Sequence, residues 1–285
     1  MIPELILNNG ICVPSIGFGT WKLEDQEKTI EIVQQAVHAG YRHIDTAAYY
    51  GNERQVGRAL AECGVPRQEL FVVSKVWSTD RGYDRTVRAF QKSLADLGLT
   101  YLDLYLIHWP ASPTFYPDAN AINLSTWRAL ETLYQEGLIR AIGVSNFLPH
   151  HLEPLLDEAQ ILPAVNQIRM HPGVVQSEVL SYCRRNRIQV EAWRPLGAGR
   201  LLTCETVLTL AQKYQKTPAQ ICVRWCIQHD ALPLVKSSSL ARMRENMEVF
   251  DFSIAMEDMT VLDAIVTEGC SAPEPDAINY GIETP

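Results

Sequence analysis

The sequence predicts a closed (β/α)8 TIM barrel, and three features of the chain indicate this fold. Short apolar runs that suit strands alternate with stretches of helical periodicity eight times along the chain. These runs carry few polar residues, which is typical of strands that are buried on both faces of a parallel sheet. Eight such units in about 250 residues match the size of a β/α barrel. An open doubly wound sheet is the alternative. Neither a linker nor a shift in composition marks a second domain, so we expect residues 1–285 to form one domain.

The first half of the chain contributes a hairpin and four strand–helix units. Asn9-Gly10, a favoured tight-turn pair, predicts a short hairpin at the N-terminus. The four strands predicted after it cover residues 15–20, 42–46, 70–76 and 102–107. The predicted helices cover 26–39, 53–63 and a segment with Val87, Phe90, Leu94 and Leu97 on one face. Gly40 and Gly98 follow the first and third helices, where glycine commonly ends a helix.

The second half of the chain repeats the same alternation. A proline-rich loop, residues 110–117, precedes a helix at 124–136. The remaining strands are predicted at 139–144, 164–168, 188–192 and 232–236, with helices at 151–159, 177–186, near 242 and at 257–266. Residues 196–229 hold at least one helix, with Pro218 suited to its first turn. We expect the C-terminal residues, 269–285, to form a loop over the barrel mouth.

Composition and charge exclude several classes of protein. The chain is 47% hydrophobic and 20% charged, as ordinary soluble domains are, and its net charge is −8. That charge argues against a nucleic-acid or anionic-membrane partner. The chain shows no signal-peptide pattern and no apolar run of membrane-spanning length, so we expect a cytoplasmic protein. Its seven cysteines are scattered, so we expect them to be reduced thiols. Cys222 and Cys226 lie one helical turn apart without histidine neighbours, so we expect no metal site.

Four polar residues follow or end adjacent predicted strands. Asp45 ends the second strand and Tyr50 lies in its loop, whereas Lys75 and His108 end the third and fourth. Each residue alone has a structural explanation: a turn acid, a packed aromatic, a solvated lysine stem or a buried histidine. The active sites of β/α barrels lie at the C-terminal ends of the strands. Because all four fall at one barrel mouth, their joint occurrence indicates a shared functional site.

Together these side chains can protonate a carbonyl oxygen. A buried aspartate requires a cation, and Lys75 can supply it to Asp45. The ammonium would also stabilise a phenolate and lower the pKa of Tyr50, while His108 donates a hydrogen bond to the same substrate oxygen. Such a group stabilises charge that develops on an oxygen but supplies no hydride, so a cofactor must supply it.

The motifs around these residues resemble the aldo-keto reductase family over nearly the whole chain. They run in order: Asp45-Thr-Ala-Ala-Tyr-Tyr50-Gly-Asn-Glu53, Ser74-Lys75-Val-Trp77, Asp103-Leu-Tyr-Leu-Ile-His108-Trp-Pro110, Gly143-Val-Ser-Asn-Phe147, Asn166-Gln-Ile168, Glu191-Ala-Trp-Arg-Pro-Leu-Gly197 and Thr217-Pro-Ala-Gln220. The short loop after His108 and the compact tail resemble the prokaryotic diketogluconate or methylglyoxal reductase branch.

The resemblance implies an NADPH-dependent reductase of aldehydes, ketones or α-dicarbonyl compounds. It implies a catalytic tetrad of Asp45, Tyr50, Lys75 and His108, in which Tyr50 protonates the carbonyl. Tyr49 is the rival phenol, but the spacing from Asp45 and the following Gly-Asn-Glu select Tyr50. The implied partner is a small carbonyl substrate, and the family leans towards monomers.

The resemblance also implies an extended NADPH site without a Rossmann fold. The two Gly-x-Gly starts lack the third glycine of that motif, since Lys22 and Leu202 stand there. At the nicotinamide end, the implied contacts are Ser145, Asn146 and Gln167 on the carboxamide, with Trp193 stacked on the ring in place of the usual tyrosine. Thr20 and Leu196 are implied along the cofactor. At the other end, the implied contacts are Lys236, Ser237 and Arg242 at the 2′-phosphate, and Glu245 and Asn246 at the adenine. Arg194 replaces a small residue and lies either near the pyrophosphate or in solvent. Arg169, which replaces a common acidic residue, has no functional account.

An aromatic pocket is expected at the mouth, and two other functions remain open. Trp21, Trp77 and Trp109 fall at strand ends and, with Tyr49, would form an apolar substrate pocket of broad specificity. One alternative is a non-catalytic barrel that binds or senses NADPH. The other is a Schiff-base lyase that uses Lys75.

Overall fold

Eight parallel strands form a closed barrel in the structure, a computed structural model that describes residues 2–23, 25–114, 116–266 and 274–277. The barrel strands are β3 (Gly17–Gly19), β4 (His43–Asp45), β5 (Phe71–Val76), β6 (Leu102–Ile107), β7 (Ile139–Ser145), β8 (Val165–Arg169), β9 (Gln189–Trp193) and β10 (Ala231–Val235). Each strand pairs with the next along the chain, and β10 closes the ring against β3 through Leu234 and Gly17. The predicted fold is therefore confirmed.

A short hairpin covers the N-terminal end of the barrel, as predicted. Its antiparallel strands are β1 (Glu4–Ile6) and β2 (Cys12–Pro14). Asn8 and Asn9 donate side-chain hydrogen bonds to the carbonyls of Pro163 and Arg140, which precede or begin barrel strands. These bonds attach the hairpin to the end of the barrel opposite the strand termini that carry the candidate site.

Ten helices surround the strands in the described part of the chain. They are α1 (Gln26–Ala39), α2 (Glu53–Glu62), α3 (Tyr83–Leu97), α4 (Ala119–Gln135), α5 (Pro149–Glu158), α6 (Ser177–Arg185), α7 (Glu205–Tyr214), α8 (Pro218–Gln228), α9 (Leu240–Glu245) and α10 (Met256–Asp263). Asp25 caps α1 by accepting from the Lys28 amide, and Gly40 ends the helix with a φ of 117°. Thr217 and Gln220 form a capping box at the start of α8. None of the described helices is long and apolar enough to span a bilayer.

The strands divide two apolar cores between their faces. Leu7 and Val13 of the hairpin join the cluster inside the barrel, whose other members are Phe71, Val73, Leu104, Leu106, Ala141, Ala164, Val165, Leu232 and Leu234. The larger cluster lies between the outer faces of the strands and the helices. Since side chains alternate along a strand, a residue's neighbours in sequence show which core it faces.

The clearest difference from the predicted elements is the start of one helix. Helix α4 begins at Ala119, five residues before the predicted start, because Asn123 turns inward and accepts a hydrogen bond from the Ala111 amide. Residues 196–229 hold two α-helices, α7 and α8, after a short 3-10 segment. Of the predicted C-terminal loop, residues 269–285, the structure describes only 274–277. Within these, Pro275–Ala277 form one short 3-10 turn.

Candidate active site

Strand alternation directs four buried polar side chains into the barrel. Ile44 packs in the outer core, so Asp45 faces inward. Val73 packs in the interior core, so Lys75, two residues later, faces the same way. Gln167 follows Val165 by the same rule, and Glu191 lies between Val190 and Ala192, which both pack in the outer core.

A pocket at the C-terminal ends of the strands collects most of the predicted site. Three predicted tetrad members, Asp45, Tyr50 and His108, line it, together with Ser145, Asn146, Gln167, Trp193 and Arg194 of the predicted cofactor site and with Trp21, Tyr49, Trp77 and Trp109 of the predicted substrate site. Lys75 lies beneath this lining. The arrangement brings three acid–base side chains and the aromatic side chains into one cavity, with Lys75 buried behind them.

Lys75 makes the contact that Asp45 was expected to require. Its Nζ lies 2.8 and 2.7 Å from the two carboxylate oxygens of Asp45, and it also donates to the Thr46 carbonyl at 2.8 Å and to the Tyr50 hydroxyl at 3.3 Å. Lys75 is fully buried. Burial by itself lowers the pKa of Lys75, but Asp45 and Tyr50 outweigh it and raise the pKa overall. The side chain is therefore an ammonium at neutral pH.

The pKa of Tyr50 moves in the direction opposite to the sequence-based expectation. Burial of the phenol raises its pKa, and this effect exceeds the lowering by Lys75. Asp45 raises the pKa further, and Arg194 lowers it. The phenol therefore holds its proton at neutral pH while its oxygen rests against the ammonium, an arrangement suited to proton donation.

His108 enters the pocket as a neutral imidazole. Burial and the charge of Lys75 lower the pKa of His108 well below its usual value. Its ring lies edge-on to Tyr50, with 5.7 Å between ring centroids, and edge-on to Trp77 at 5.0 Å. A neutral imidazole has one N–H, so His108 can donate to an oxygen held beside Tyr50.

Stacked aromatic rings form one wall of the pocket. Tyr49 stacks on Trp77 with ring centroids 3.7 Å apart, and Trp21 lies 5.6 Å from Tyr49 and 4.9 Å from Tyr50. Tyr49 is more than two-fifths exposed, whereas Tyr50 points inward to Lys75. The two phenols therefore occupy different environments within the pocket.

Amide side chains on the facing wall are held by fixed partners. Asn146 adopts a left-handed φ of 63°, accepts from Trp193 Nε1 at 2.9 Å, and donates to the His108 carbonyl and Ser145 hydroxyl. Gln167 donates from Nε2 to Asp45 at 2.9 Å and to Glu191 at 2.8 Å. The sequence reasoning gave Glu191 no role, although an acid on a buried strand was a visible signal.

The remaining predicted cofactor residues lie outside this pocket lining. Lys236, Ser237, Arg242, Glu245 and Asn246 follow β10 or lie on and just after α9. Lys236 and Arg242 are exposed cations, and Lys236 Nζ donates to the Lys22 carbonyl at 3.2 Å. Glu245 accepts from the Thr217 hydroxyl at 2.7 Å.

Two further predicted cofactor residues, Thr20 and Leu196, lie close to residues of the pocket. The Thr20 hydroxyl is buried and donates to the Asp45 carbonyl at 3.0 Å. Leu196 is partly buried and packs against the outer core. Neither lines the pocket itself, but each lies within two residues of a residue that does.

A histidine cluster that the sequence reasoning missed lies beside the mouth. The side chains of His150, His151 and Asp276 approach within 4.8 Å of one another, a spacing that metal ligands share. Hydrogen bonds already connect them: both histidines contact Asp276 Oδ1, and His151 Nδ1 accepts from the Leu148 amide. Ser112 also donates to the Asp276 carbonyl. These bonds hold residues 274–277 against α5, a contact across too many residues for local patterns to predict.

Comparisons with known proteins identify similar chains of matching length. The sequence profile described as the Aldo/keto reductase family matches residues 15–267. A Bacillus subtilis protein named glyoxal reductase is 48% identical over 274 residues, which cover 96% of each chain. The crystal structure of MGS-M4, an aldo-keto reductase enzyme from a Medee basin deep-sea metagenome library, is 42% identical with a TM-score of 0.88, covering 97% of this chain and 100% of that one. A Bombyx mori aldo-keto reductase crystallised with NADP is 36% identical with a TM-score of 0.86, covering 92% of each chain.

Proposed function

Because this chain belongs to the Aldo/keto reductase family, we propose that it is an NADPH-dependent reductase of aldehydes, ketones or α-dicarbonyl compounds. One observation carries the proposal: the phenol of Tyr50 faces an aromatic pocket while it touches the buried Lys75–Asp45 pair. The NADP-bound silkworm relative and the relative named glyoxal reductase support the same cofactor and substrate class.

The tetrad protonates the substrate oxygen in this proposal. Tyr50 donates its phenolic proton to the carbonyl oxygen, and the ammonium of Lys75 stabilises the phenolate that remains. Asp45 keeps the ammonium in place through two short contacts. His108, neutral because of burial and Lys75, donates a second hydrogen bond to the same oxygen. Two hydrogen-bond donors, Tyr50 and His108, thus stabilise the negative charge that develops on the substrate oxygen.

Residues of this chain fit the nicotinamide end of NADPH, which when bound would supply the hydride for the carbonyl carbon. Ser145, Asn146 and Gln167 present hydroxyl and amide groups that suit the carboxamide. Trp193, whose indole N–H is bonded to Asn146, offers an aromatic face to the ring. Arg194 lines the same pocket and adds a cation near the expected position of the pyrophosphate.

The adenine end of the cofactor fits residues that follow β10. Lys236 and Arg242 are exposed cations that we assign to the 2′-phosphate, with Ser237 beside them. Asn246 is buried, and its Oδ1 has no partner among the described residues, so it fits a donor such as an adenine amino group. We assign Glu245 to the adenine end as well. Thr20 and Leu196 are assigned to the part of the cofactor between its nicotinamide and adenine ends.

The pocket walls favour small substrates of broad type. Trp21, Tyr49, Trp77 and Trp109 surround the space beside Tyr50 with aromatic surface. Such walls bind apolar groups with little selection by charge. We therefore expect a range of small aldehydes and dicarbonyls to be reduced.

The structure argues against Schiff-base chemistry at Lys75. A nucleophilic lysine must be a neutral amine, but Asp45 and Tyr50 raise the pKa of Lys75 despite its burial. Its ammonium donates hydrogen bonds to oxygen atoms of Asp45, Thr46 and Tyr50. A barrel that binds NADPH without turnover remains the second candidate, because every contact assigned to the cofactor would serve it equally well.

A pair of matched tyrosine variants tests the proposed reaction. The wild-type protein is assayed with glyoxal, methylglyoxal and an aromatic aldehyde, each with NADPH and with NADH. Tyr50→Phe should lower kcat by roughly 10²–10⁴, the usual contribution of a positioned acid, and should bind NADPH with little change in affinity. Tyr49→Phe, one residue away, should lower kcat less than tenfold, because Tyr49 is not the proposed acid. A Tyr50→Phe protein with the wild-type rate would refute the mechanism. A wild type that binds NADPH but reduces none of the carbonyls would favour the binding-only function.

A further inference from the structure

Glu191 is a second carboxyl group in the barrel interior, beside Asp45 of the tetrad. It is fully buried on β9, and Gln167 on β8 connects it to Asp45 on β4. One nitrogen, Gln167 Nε2, donates its two hydrogens to the two carboxyl groups. Neither the tetrad chemistry nor the proposed cofactor contacts use Glu191.

The two carboxyl groups determine which way the amide of Gln167 points. An amide has donors only on its nitrogen and acceptors only on its oxygen. Asp45 is an acceptor because it carries the charge that pairs with Lys75, so Nε2 must face it. Glu191 accepts at the same nitrogen through Oε2. The carbonyl oxygen of Gln167 is then at the other end of the amide, in a residue that lines the pocket.

We propose that Glu191 is a positioning residue that fixes the side-chain amide of Gln167 with its carbonyl oxygen available to the NH₂ group of the nicotinamide carboxamide. The proposal rests on the proposed function in one respect: it takes Gln167 as a carboxamide contact. Asp45 alone bonds only one hydrogen of Nε2 and leaves the amide free to rotate about that bond. The second bond, to Glu191, removes that freedom.

The charge state of Glu191 agrees with this role. Burial, and after it the charge of Asp45, raise the pKa of Glu191 to about 8 against the lowering by Gln167 and Lys75. Glu191 is therefore neutral at pH 7, which avoids a second negative charge beside Asp45. Its Oε2 accepts from Gln167, so the proton belongs on Oε1, which faces Nε2 of the buried, neutral His43 at 3.7 Å. His43, Asp45 and Lys75 are the charged or titratable groups whose interactions with Glu191 the structure records.

Cofactor analogues test the orientation of Gln167. In the 3-acetylpyridine analogue of NADP⁺ a methyl group replaces the NH₂ of the carboxamide. Dissociation constants of both dinucleotides are measured by quenching of protein fluorescence, and kcat/KM for both is measured in alcohol oxidation. Glu191→Leu should reduce the preference for NADP⁺ over the analogue about tenfold, the value of one hydrogen bond. Glu191→Gln should restore the preference, since its amide oxygen can accept from Gln167 and its NH₂ can face His43.

Glu53→Leu is the matched control. Glu53 is another buried carboxyl group with two hydrogen bonds, to Ser74 and Ser93, and neither bond reaches Gln167. Its loss should leave the preference between the dinucleotides unchanged. An unchanged preference in Glu191→Leu overturns the positioning role. If the wild type binds both dinucleotides but oxidises no alcohol, the proposed function fails, while the ratio of dissociation constants still tests Glu191.

A measurement on the wild-type protein keeps the proposal testable if Glu191→Leu does not fold. With ¹⁵N-labelled glutamine, the Gln167 side-chain signal can be assigned from its absence in a Gln167→Met spectrum. Two hydrogen-bonded protons should both shift downfield from free glutamine amides and exchange slowly with solvent. In Glu191→Gln both should remain shifted, because both acceptors remain. A Gln167 signal at the position of a free amide in the wild type would overturn the proposal.

Discussion

At the scale of single residues, Lys75 is the group on which the candidate site depends most. It is fully buried and contacts oxygen atoms of Asp45, Thr46 and Tyr50. Removing a charge from water is costly, and here the cost is offset by an opposite charge at 2.7 Å and by the other hydrogen bonds. The same contacts that make the burial tolerable also place the ammonium against the phenol.

Removal of Lys75 should therefore destabilise the protein as well as abolish turnover. Lys75→Met leaves Asp45 buried without its cation, and the loss of one partner of a buried pair costs roughly 3–5 kcal/mol. Urea unfolding followed by fluorescence measures this loss. The double variant Asp45→Asn with Lys75→Met should regain much of it, because no unpaired charge remains. Arg54→Met, which removes a partner of Asp96 at the surface, is the control and should cause no measurable loss. Equal stability of Lys75→Met and wild type would contradict the account.

Part of the site could be predicted from single residues, and part could not. The Asp45–Lys75 pair followed from the rule that a buried carboxylate needs a cation, applied to strand ends that meet at one mouth. The pKa direction for Tyr50 did not follow, because the degree of burial depends on how Trp21 and His108 pack around it. The bond between Gln167 and Glu191 depends on inward-facing positions of neighbouring strands, which requires the barrel register.

At the scale of elements, the connection from β10 to α9 should decide which dinucleotide binds. It carries two exposed cations, Lys236 and Arg242, and the 2′-phosphate is the only charge that distinguishes NADPH from NADH. Lys236→Ala combined with Arg242→Ala should weaken NADPH binding by roughly 10–100-fold, about 1.4 kcal/mol for each tenfold step. NADH binding should change little.

The helix itself provides the control for this experiment. Arg244→Ala removes an exposed cation of the same charge from α9, and it should leave the ratio of NADPH to NADH affinity near the wild-type value. Isothermal titration with both dinucleotides measures the ratio. If the double variant keeps the wild-type preference, the assignment of the 2′-phosphate to these two residues is wrong.

The elements themselves were predictable wherever one pattern dominated. Strand β6 is buried at every position, and its apolar run located it correctly. Helix α1 lies between an acidic cap and a left-handed glycine, and both signals were local. Helix α4 started earlier than predicted because its first residues are held by loop contacts such as Asn123 with Ala111 rather than by an apolar stripe. Side-chain contacts of that kind are invisible to periodicity.

At the scale of the whole molecule, we propose that the 285 residues act as one domain. The barrel closes through β10 and β3, so the interior core exists only when the first and last barrel strands are both present. The family profile covers residues 15–267 without division. A closed sheet with one interior core favours cooperative unfolding, and the pH dependence of the protein should then appear in a single transition.

Buried titratable groups predict that the free energy of unfolding is greatest near pH 6.5. Burial lowers the pKa of His43 to about 3 and of His151 to about 4, so between those values and about 6.5 the unfolded state binds more protons and stability falls as the pH falls. Glu191 has its pKa raised by burial from 4.5 to about 8, so between those values the folded state binds an extra proton and the effect on stability is a fall as the pH rises. Below about pH 6.5 the two histidines together outweigh this effect, and above it Glu191 dominates up to about pH 8. The fall with rising pH should not exceed about 1.4 kcal/mol per pH unit for one group.

Urea unfolding from pH 5 to 9 measures both limbs. Glu191→Gln should remove the alkaline limb and steepen the acid limb, because Glu191 no longer offsets one histidine, whereas Glu69→Gln at the surface should leave both limbs unchanged. An alkaline limb that persists in Glu191→Gln would show that another group titrates there.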